Sequence, residues 1–404
     1  MTSLEKAKKN FLEIENHLSS FACKSSEAIR LKEEKDDIRT PFFRDIDRII
    51  HSLSYTRYMD KTQVYSFKEN DHISKRMIHV QLVSKIARTI GRALKLNEDL
   101  IEAIALSHDL GHTPLGHAGE AMLNKISLRE LGEYFAHNIQ GVRSCMIVDK
   151  DGIGHNLTVQ TLDGIMCHNG EILDPIYRPM KKDVNEFLRE YEESYKDLKK
   201  SKKYAPMTLE GCVVRISDVV AYIGRDIEDA INLGLFQREE LPKEITDVLG
   251  NNNKEIVNTI ILDIINESID KPYIKMSDQV FKALFELKEF NYKNIYSCNR
   301  LKPSVRYFNF VINEIYDLLK STYKKEKTLD NLKSLSKIYP KLGNGFINFI
   351  YNYYDFENRE NLKLKNKILF SIENEKDFYK TIIYYISGMT DNFTIEIYNE
   401  IIHF

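Results

Sequence analysis

Residues 76–120, RMIHVQLVSKIARTIGRALKLNEDLIEAIALSHDLGHTPLGHAGE, carry the histidines His79, His108, His112 and His117, with His72 just ahead and Asp109 directly after His108. Imidazole nitrogen and carboxylate oxygen are the donors that suit a divalent cation of the Mn, Fe or Mg kind. Position strengthens the reading. His79 falls on a helical stripe with Val83, Ile86 and Ile90, and His108 follows Ile101, Ile104 and Ala105 on the apolar side of a second helix. A single histidine on an apolar face is most often a core residue with a hydrogen-bonded partner. Several polar groups buried together are costly to satisfy one by one, and a metal ion satisfies them at once.

A turn containing Gly111, Pro114, Gly116 and Gly119 follows the doublet and lets backbone and the imidazoles of His112 and His117 approach a ligand. His117 and Glu120 lie three apart, so in a restarting helix the carboxylate orients the ring. Further on, His137 stands beside Asn138 near Gln140, and TLDGIMCHNGEI places His168 at the end of another expected helix. In residues 208–235, Thr208 is an expected cap, and Val213, Ile216, Val220, Ile223 and Ile227 give a helical period. Asp218, Tyr222 and Asp226 then share one ridge about two turns long. Asp218, set among Ile216, Val219 and Val220, either pairs with Arg215 or Arg225 or serves as a fourth metal ligand.

The elements that must position these groups read as helices. Arg76 to Leu96 is one, and Asn97-Glu98-Asp99 starts the next with a cap and first-turn acids. Strand signals are few, so the chain reads as all-α. The 404 residues divide into an N-terminal helical arm (1–38), a core (39–240) with a charge-rich insert at 181–203, and a C-terminal helical region (241–404) completing the same globule. The insert reads as a solvated face. Arg39, Arg44, Arg48 and Arg57 crowd one short stretch with Asp45 and Asp47. Surface pairing and phosphate or subunit contact stay equally open for them.

With 58 Lys plus Arg against 60 Asp plus Glu, the net charge of −2 gives no global basic field to argue for nucleic acid. The lysines, arginines and tyrosines of 281–308 give only a weak signal for phosphate contact. Five scattered cysteines without a Cys-x-x-Cys pair fit reduced thiols. The amphipathic N-terminus lacks an apolar signal core and no run approaches a membrane span, so the expectation is a soluble, cytoplasmic protein with no membrane partner.

His79, His108-Asp109 and the distant Asp218 reproduce the H…HD…D pattern of HD-domain metal phosphohydrolases, and the resemblance extends further. KSSEAIR, DDIRTPFFRDIDRIIHS, RYMDKTQV, HDLGHTPLGHAGE, FAHNIQGVR, DVVAYIGRDIEDAI and YYISGMTDNF resemble the bacterial deoxyguanosine triphosphate triphosphohydrolase (dNTPase) family. They run in that family's order from about residue 24 to about residue 393. The resemblance implies an HD-domain helical core with additional C-terminal helices. It also implies a divalent metal (Mn, Mg or Fe type) on His79, His108, Asp109 and Asp218. His117 and Glu120 match the catalytic pair, with His112 and His137 lining the same site near the phosphates. Arg76 matches a phosphate-binding arginine, Gln63 the reader of the sugar 3′-hydroxyl, and Tyr222 and Asp226 the residues against the deoxyribose. Arg57 is taken as substrate-binding with them. The chain departs from the family at Arg225, where a histidine is common, and at Asn392, where an arginine is usual.

The reaction implied is hydrolysis of a dNTP, dGTP among the substrates, to deoxynucleoside and triphosphate. Two alternatives stand beside it: another HD-type nucleotide phosphohydrolase, and a catalytically weak nucleotide sensor or single-stranded nucleic-acid binder. The family also leads one to expect a homo-oligomer, with a hexamer among the forms, and an allosteric dNTP.

Overall fold

The computed structural model describes residues 2–62, 75–168, 173–298, 302–356, 364 and 368–403, so Gln63 and His72 lie outside the described residues. The protein is all-α. Among the described residues the named strands are two residues long, Ile176–Tyr177 antiparallel to Ile274–Lys275. The helices begin where the sequence supplies caps. Asn97 Oδ1 accepts the amides of Asp99 and Leu100 at 3.2 and 3.3 Å ahead of the helix Glu98–Ser107, and Thr208 accepts that of Gly211 at 3.1 Å ahead of Leu209–Asn232. No described helix is long and apolar enough to cross a membrane, and all five cysteines are free thiols.

Three apolar cores organise the molecule. In the first, the helices Arg76–Ala93, Glu98–Ser107 and Leu209–Asn232 pack on one another through Val83, Ile90, Ile101, Val213, Ile216 and Val220. The helices Asn253–Ser268 and Asp278–Asn291 add Ile256, Ile260, Ile264 and Leu284 to it. The second gathers the helix Gly116–Leu131 with residues from Phe308 to Tyr398. The third joins Ile46 and Ile49 to Ile139, Val142, Leu162, Ile165, Phe187 and Tyr191. The stretch after residue 240 therefore divides between the first two cores.

The charge-rich 181–203 segment is not a solvated excursion. Its helix Val184–Ser194 buries Phe187 and Tyr191, four residues apart, and Lys182 is buried against Asp163 and Glu190 at 2.7 Å each. The one ammonium of Lys182 pairs with both carboxyl groups, which is how so polar a sequence enters a core. The arginine-dense stretch resolves mostly as ion pairing. Arg39 holds Asp37 and Asp47, while Arg44 and Arg48 meet Glu34.

Candidate active site

The four expected metal donors are brought together by three helices. His79 lies one turn into Arg76–Ala93 and Asp218 midway along Leu209–Asn232. His108 caps the end of Glu98–Ser107, with Asp109 next. His79 Nε2 lies 2.9 Å from Asp218 Oδ1, and His108 Nε2 lies 3.6 Å from Asp109 Oδ2 and 3.7 Å from Asp218 Oδ1. The alternative pairing of Asp218 with Arg215 or Arg225 is not what forms. Arg215 donates to the Tyr204 carbonyl at 2.9 Å and Arg225 reaches Asp229 at 3.4 Å.

His108 supplies the test of whether a cation fits. Its Nδ1 lies 2.7 Å from the Ala105 carbonyl, which can only accept, so the ring's proton sits on Nδ1. The Nε2 lone pair is then left bare. It is fully buried, has no hydrogen-bond partner among the described residues, and faces two carboxylates. A buried acceptor ringed by anions and a second imidazole is a donor set for a divalent ion. Burial would raise the Asp109 carboxyl, but Arg76, His108, His112 and His137 outweigh it and hold it well below the usual range. Asp218 is likewise carried, against burial, down to about 2 by His79 and His108. Both are ionised.

The flanking groups form a second layer. Arg76 is buried, ion-paired with Asp109, and its Nη2 lies 2.7 Å from His112 Nε2. Burial and then Arg76 push the His112 imidazole well below its ordinary range, which keeps it neutral. Glu120 accepts from both the amide and Nδ1 of His137, at 2.7 and 2.8 Å, and its other oxygen lies 3.7 Å from His117 Nδ1. Burial opposes ionisation of Glu120, yet His137 and His117 hold it well below its usual range. For His137, Glu120 and Asp109 overcome burial and raise the ring to about 9. His117 is 72% exposed, at the mouth of the site. Behind these rings, a Cβ on Gly111 would sit 2.1 Å from both the Gly141 amide nitrogen and the His137 carbonyl, so only glycine lets the two histidine-bearing segments touch.

The remaining expected residues are less uniform. Tyr222 and Asp226 share the Asp218 ridge. Asp226 is buried, accepts the Tyr296 hydroxyl at 2.5 Å, and is raised by burial to about 6. Arg57 is turned elsewhere, its Nη2 donating to Ser54 Oγ at 2.6 Å beside Asp149, on a cavity of about 610 Å³ lined also by Gln140 and Tyr353. Asn392 donates to Asp60. One site residue was placed in sequence without a role: His168. It ends the helix Val159–Cys167 as His108 ends its own, with Nδ1 2.7 Å from the Ile165 carbonyl, and its ring stands 4.8 Å from that of His108. Its signal was the same one, a histidine closing an apolar helix.

Residues 76–223, the span from Arg76 to just past Asp218, match the HD domain family. The chain is 40% identical over 301 residues, 74% of its length and 78% of the relative's, to a deoxyguanosinetriphosphate triphosphohydrolase-like protein of Caldanaerobacter subterraneus subsp. tengcongensis. It is 34% identical over 379 residues, 92% and 88% of the two chains, to one of Clostridium tetani. With one of Pelagibacter ubique the identity is 33% over 399 residues, 95% and 99%. The chain belongs to the deoxyguanosinetriphosphate triphosphohydrolase-like family.

Proposed function

We propose that the protein is a metal-dependent dNTP triphosphohydrolase that cleaves a dNTP, dGTP among its substrates, to deoxynucleoside and triphosphate. The observation that carries this reading is the bare, buried Nε2 of His108 facing Asp109 and Asp218, within one site of the His117–Glu120 pair. His79, His108, Asp109 and Asp218 would hold a Mn, Mg or Fe-type ion. Such an ion, when bound, lowers the pKa of water and offsets charge developing on phosphorus.

The chain's own groups do the rest. Arg76, kept beside ionised Asp109 and neutral His112, offers a guanidinium to phosphate oxygens. His117, exposed at the mouth and oriented by Glu120, donates a proton to the 5′-oxygen as it leaves. Tyr222 packs on the deoxyribose, Asp226 and Gln63 accept and read its 3′-hydroxyl, and His137 orders Glu120. Arg57 lies one step outside this set and contacts substrate only from the neighbouring cavity. The protein works in the cytoplasm as a homo-oligomer, a hexamer among the forms, and a second dNTP acts allosterically.

The test is triphosphate release by metal-stripped protein reloaded with Mn, Mg or Fe(II), with each of the four dNTPs. Release of inorganic triphosphate with stoichiometric deoxynucleoside supports the reading. Monophosphate or diphosphate products, or no product with any pair, sink it.

A further inference from the structure

Lys61 follows the short helical turn Arg57–Asp60 and is buried, with 3% of its surface exposed. Its Nζ donates to the backbone carbonyl of His112 and, at 3.4 Å, to that of Ser387, the last residue of the helix Glu375–Ser387. Its own carbonyl accepts the amide of Arg76 at 3.0 Å, at the start of the helix that carries His79. One residue therefore ties together the turn after the His108-Asp109 doublet, the C-terminal helices and the Arg76 helix.

What the ammonium lacks is an anion. Among the described residues its hydrogen-bond partners are those two neutral carbonyls, and it forms no ion pair. Of the charged groups around it, Arg57 and Arg76 oppose its charge, while Asp391 and Asp109 favour it. Both acids are engaged elsewhere. Asp109 pairs with Arg76, and Asp391 accepts from Leu115 and Thr62. A buried cation without a counter-ion sheds its proton readily. Burial first, and then Arg57, bring the Lys61 ammonium down to about 7. Lys182, also buried but set between Asp163 and Glu190 at 2.7 Å, is raised instead.

We infer that Lys61 is a positioning residue of the proposed reaction, one that binds no phosphate itself and whose missing counter-charge is the substrate's polyphosphate held by Arg76. Phosphates beside Arg76 draw a proton from solvent onto the Lys61 amine. A charged N–H donor makes the stronger hydrogen bond, so the His112 carbonyl is gripped more firmly once substrate is in place. The turn so held runs on through Leu115 to the helix of His117. The inference rests on the proposed function, since the phosphates are those assigned to Arg76 there.

The experiment titrates Mn(II)-loaded full-length protein with inorganic triphosphate, by calorimetry in two buffers of different ionisation enthalpy. The bound state keeps a proton that the free state releases near 7, so affinity is highest below that value and falls as pH rises through it. Each unit by which the polyanion raises Lys61 weakens binding about tenfold across that limb, with uptake of about half a proton per chain at pH 8. Lys61→Gln keeps an N–H donor for the His112 carbonyl without the charge. It should lose that uptake and flatten the pH dependence of affinity. Lys61→Met serves where the glutamine variant fails to fold by circular dichroism. Uptake and pH dependence unchanged in a folded variant assign Lys61 a purely structural role and overturn the inference. So does an unmodified protein that binds no triphosphate or takes up no proton with it. Triphosphate release from dNTPs by the unmodified protein separates the two proposals. Release with the linkage unaltered in the variant sinks only the role of Lys61, and linkage lost in the variant without release sinks only the proposed reaction.

Discussion

Asp391 Oδ1 accepts the backbone amide of Leu115 at 2.8 Å, across 276 residues of sequence. Leu115 has φ +63°, a left-handed conformation that a branched side chain adopts only when its surroundings hold it there. The other oxygen of Asp391 takes the hydroxyl and amide of Thr62 at 2.7 and 3.1 Å. One carboxylate from the C-terminal helices thereby fixes both the turn that launches the His117 helix and the end of RYMDKT.

Asp391→Ala should therefore lower turnover about 10- to 100-fold with metal content unchanged, and destabilise the fold by about 1–3 kcal/mol through unmade buried hydrogen bonds. Bound metal per chain, measured beside kcat and thermal unfolding, checks this. Metal lost in step with activity would assign Asp391 to the ligand scaffold instead.

Gly111→Ala places a methyl 2.1 Å from backbone on the His137 helix, where no side-chain rotation relieves it. The expected cost is about 1–3 kcal/mol or more, with turnover falling as His137 is displaced. Gly132→Ala is the control. Its φ of +73° is strained but nothing lies within 4 Å, so about 1 kcal/mol and near-normal activity are expected. Equal shifts in melting temperature for the two variants would show that the Gly111 contact is not tight.

Replacing His108 with Ala should abolish both bound metal and hydrolysis while leaving the helical circular dichroism spectrum in place. His117→Ala should keep metal and substrate binding and lose a factor of about 10²–10⁴ in turnover, as expected of a missing general acid. Loss of metal from the His117 variant would move that residue into the ligand set.

Dideoxynucleotides should be poor substrates, because Asp226 and its Tyr296 partner would bury an acceptor with one hydrogen bond fewer, at about 1–3 kcal/mol. Asp226→Asn should weaken dNTP use and spare the metal. Equal turnover of deoxy and dideoxy substrates would remove Asp226 and Gln63 from sugar recognition.

Glu210 gives a pH signature away from the site. It is fully buried, accepts the amides of Cys23 and Asn97 at 2.9 and 3.1 Å, and is raised by burial to about 7. The folded state thus keeps a proton that the unfolded chain releases at its ordinary value of 4.5. This contribution is fully present below about pH 4.5 and is lost as pH rises to about 7, on the order of 3 kcal/mol in all. Denaturant unfolding at pH 5 and pH 8 should show Glu210→Gln losing less stability across that interval than the unmodified protein. Identical losses would mean that Glu210 is already ionised in the fold at pH 5.

The convergence of His79, His108, Asp109 and Asp218 was legible in sequence because each sits on, or directly after, a helix whose apolar period announces a buried face, and burial plus charge implies a partner. Thr208 and Asn97 cap where they stand for equally local reasons. The 181–203 segment was misread because its charge count conceals two facts. Phe187 and Tyr191 form a stripe, and Lys182 pairs with Glu190 of the same segment and with Asp163 from outside it. His168 carried a local signal but no role, since only tertiary packing brings it against Asp109. The division into three cores depends on contacts hundreds of residues apart, which no periodicity reports.

That division has a mechanical consequence. His79, His108 and Asp218 are mounted on or at the ends of helices of the first core, and the segments bearing His137 and His168 belong to the third. His117 and Glu120 ride on Gly116–Leu131, whose apolar face is seated in the second core among residues from Phe308 to Tyr398. Displacing the helices of the second core would move His117 and Glu120 relative to His79, His108 and Asp218, with the Glu120–His137 bond as the pivot. A change confined to residues 308–398 would thus reach the proposed chemical step through His117 and Glu120 before it reached the proposed metal donors.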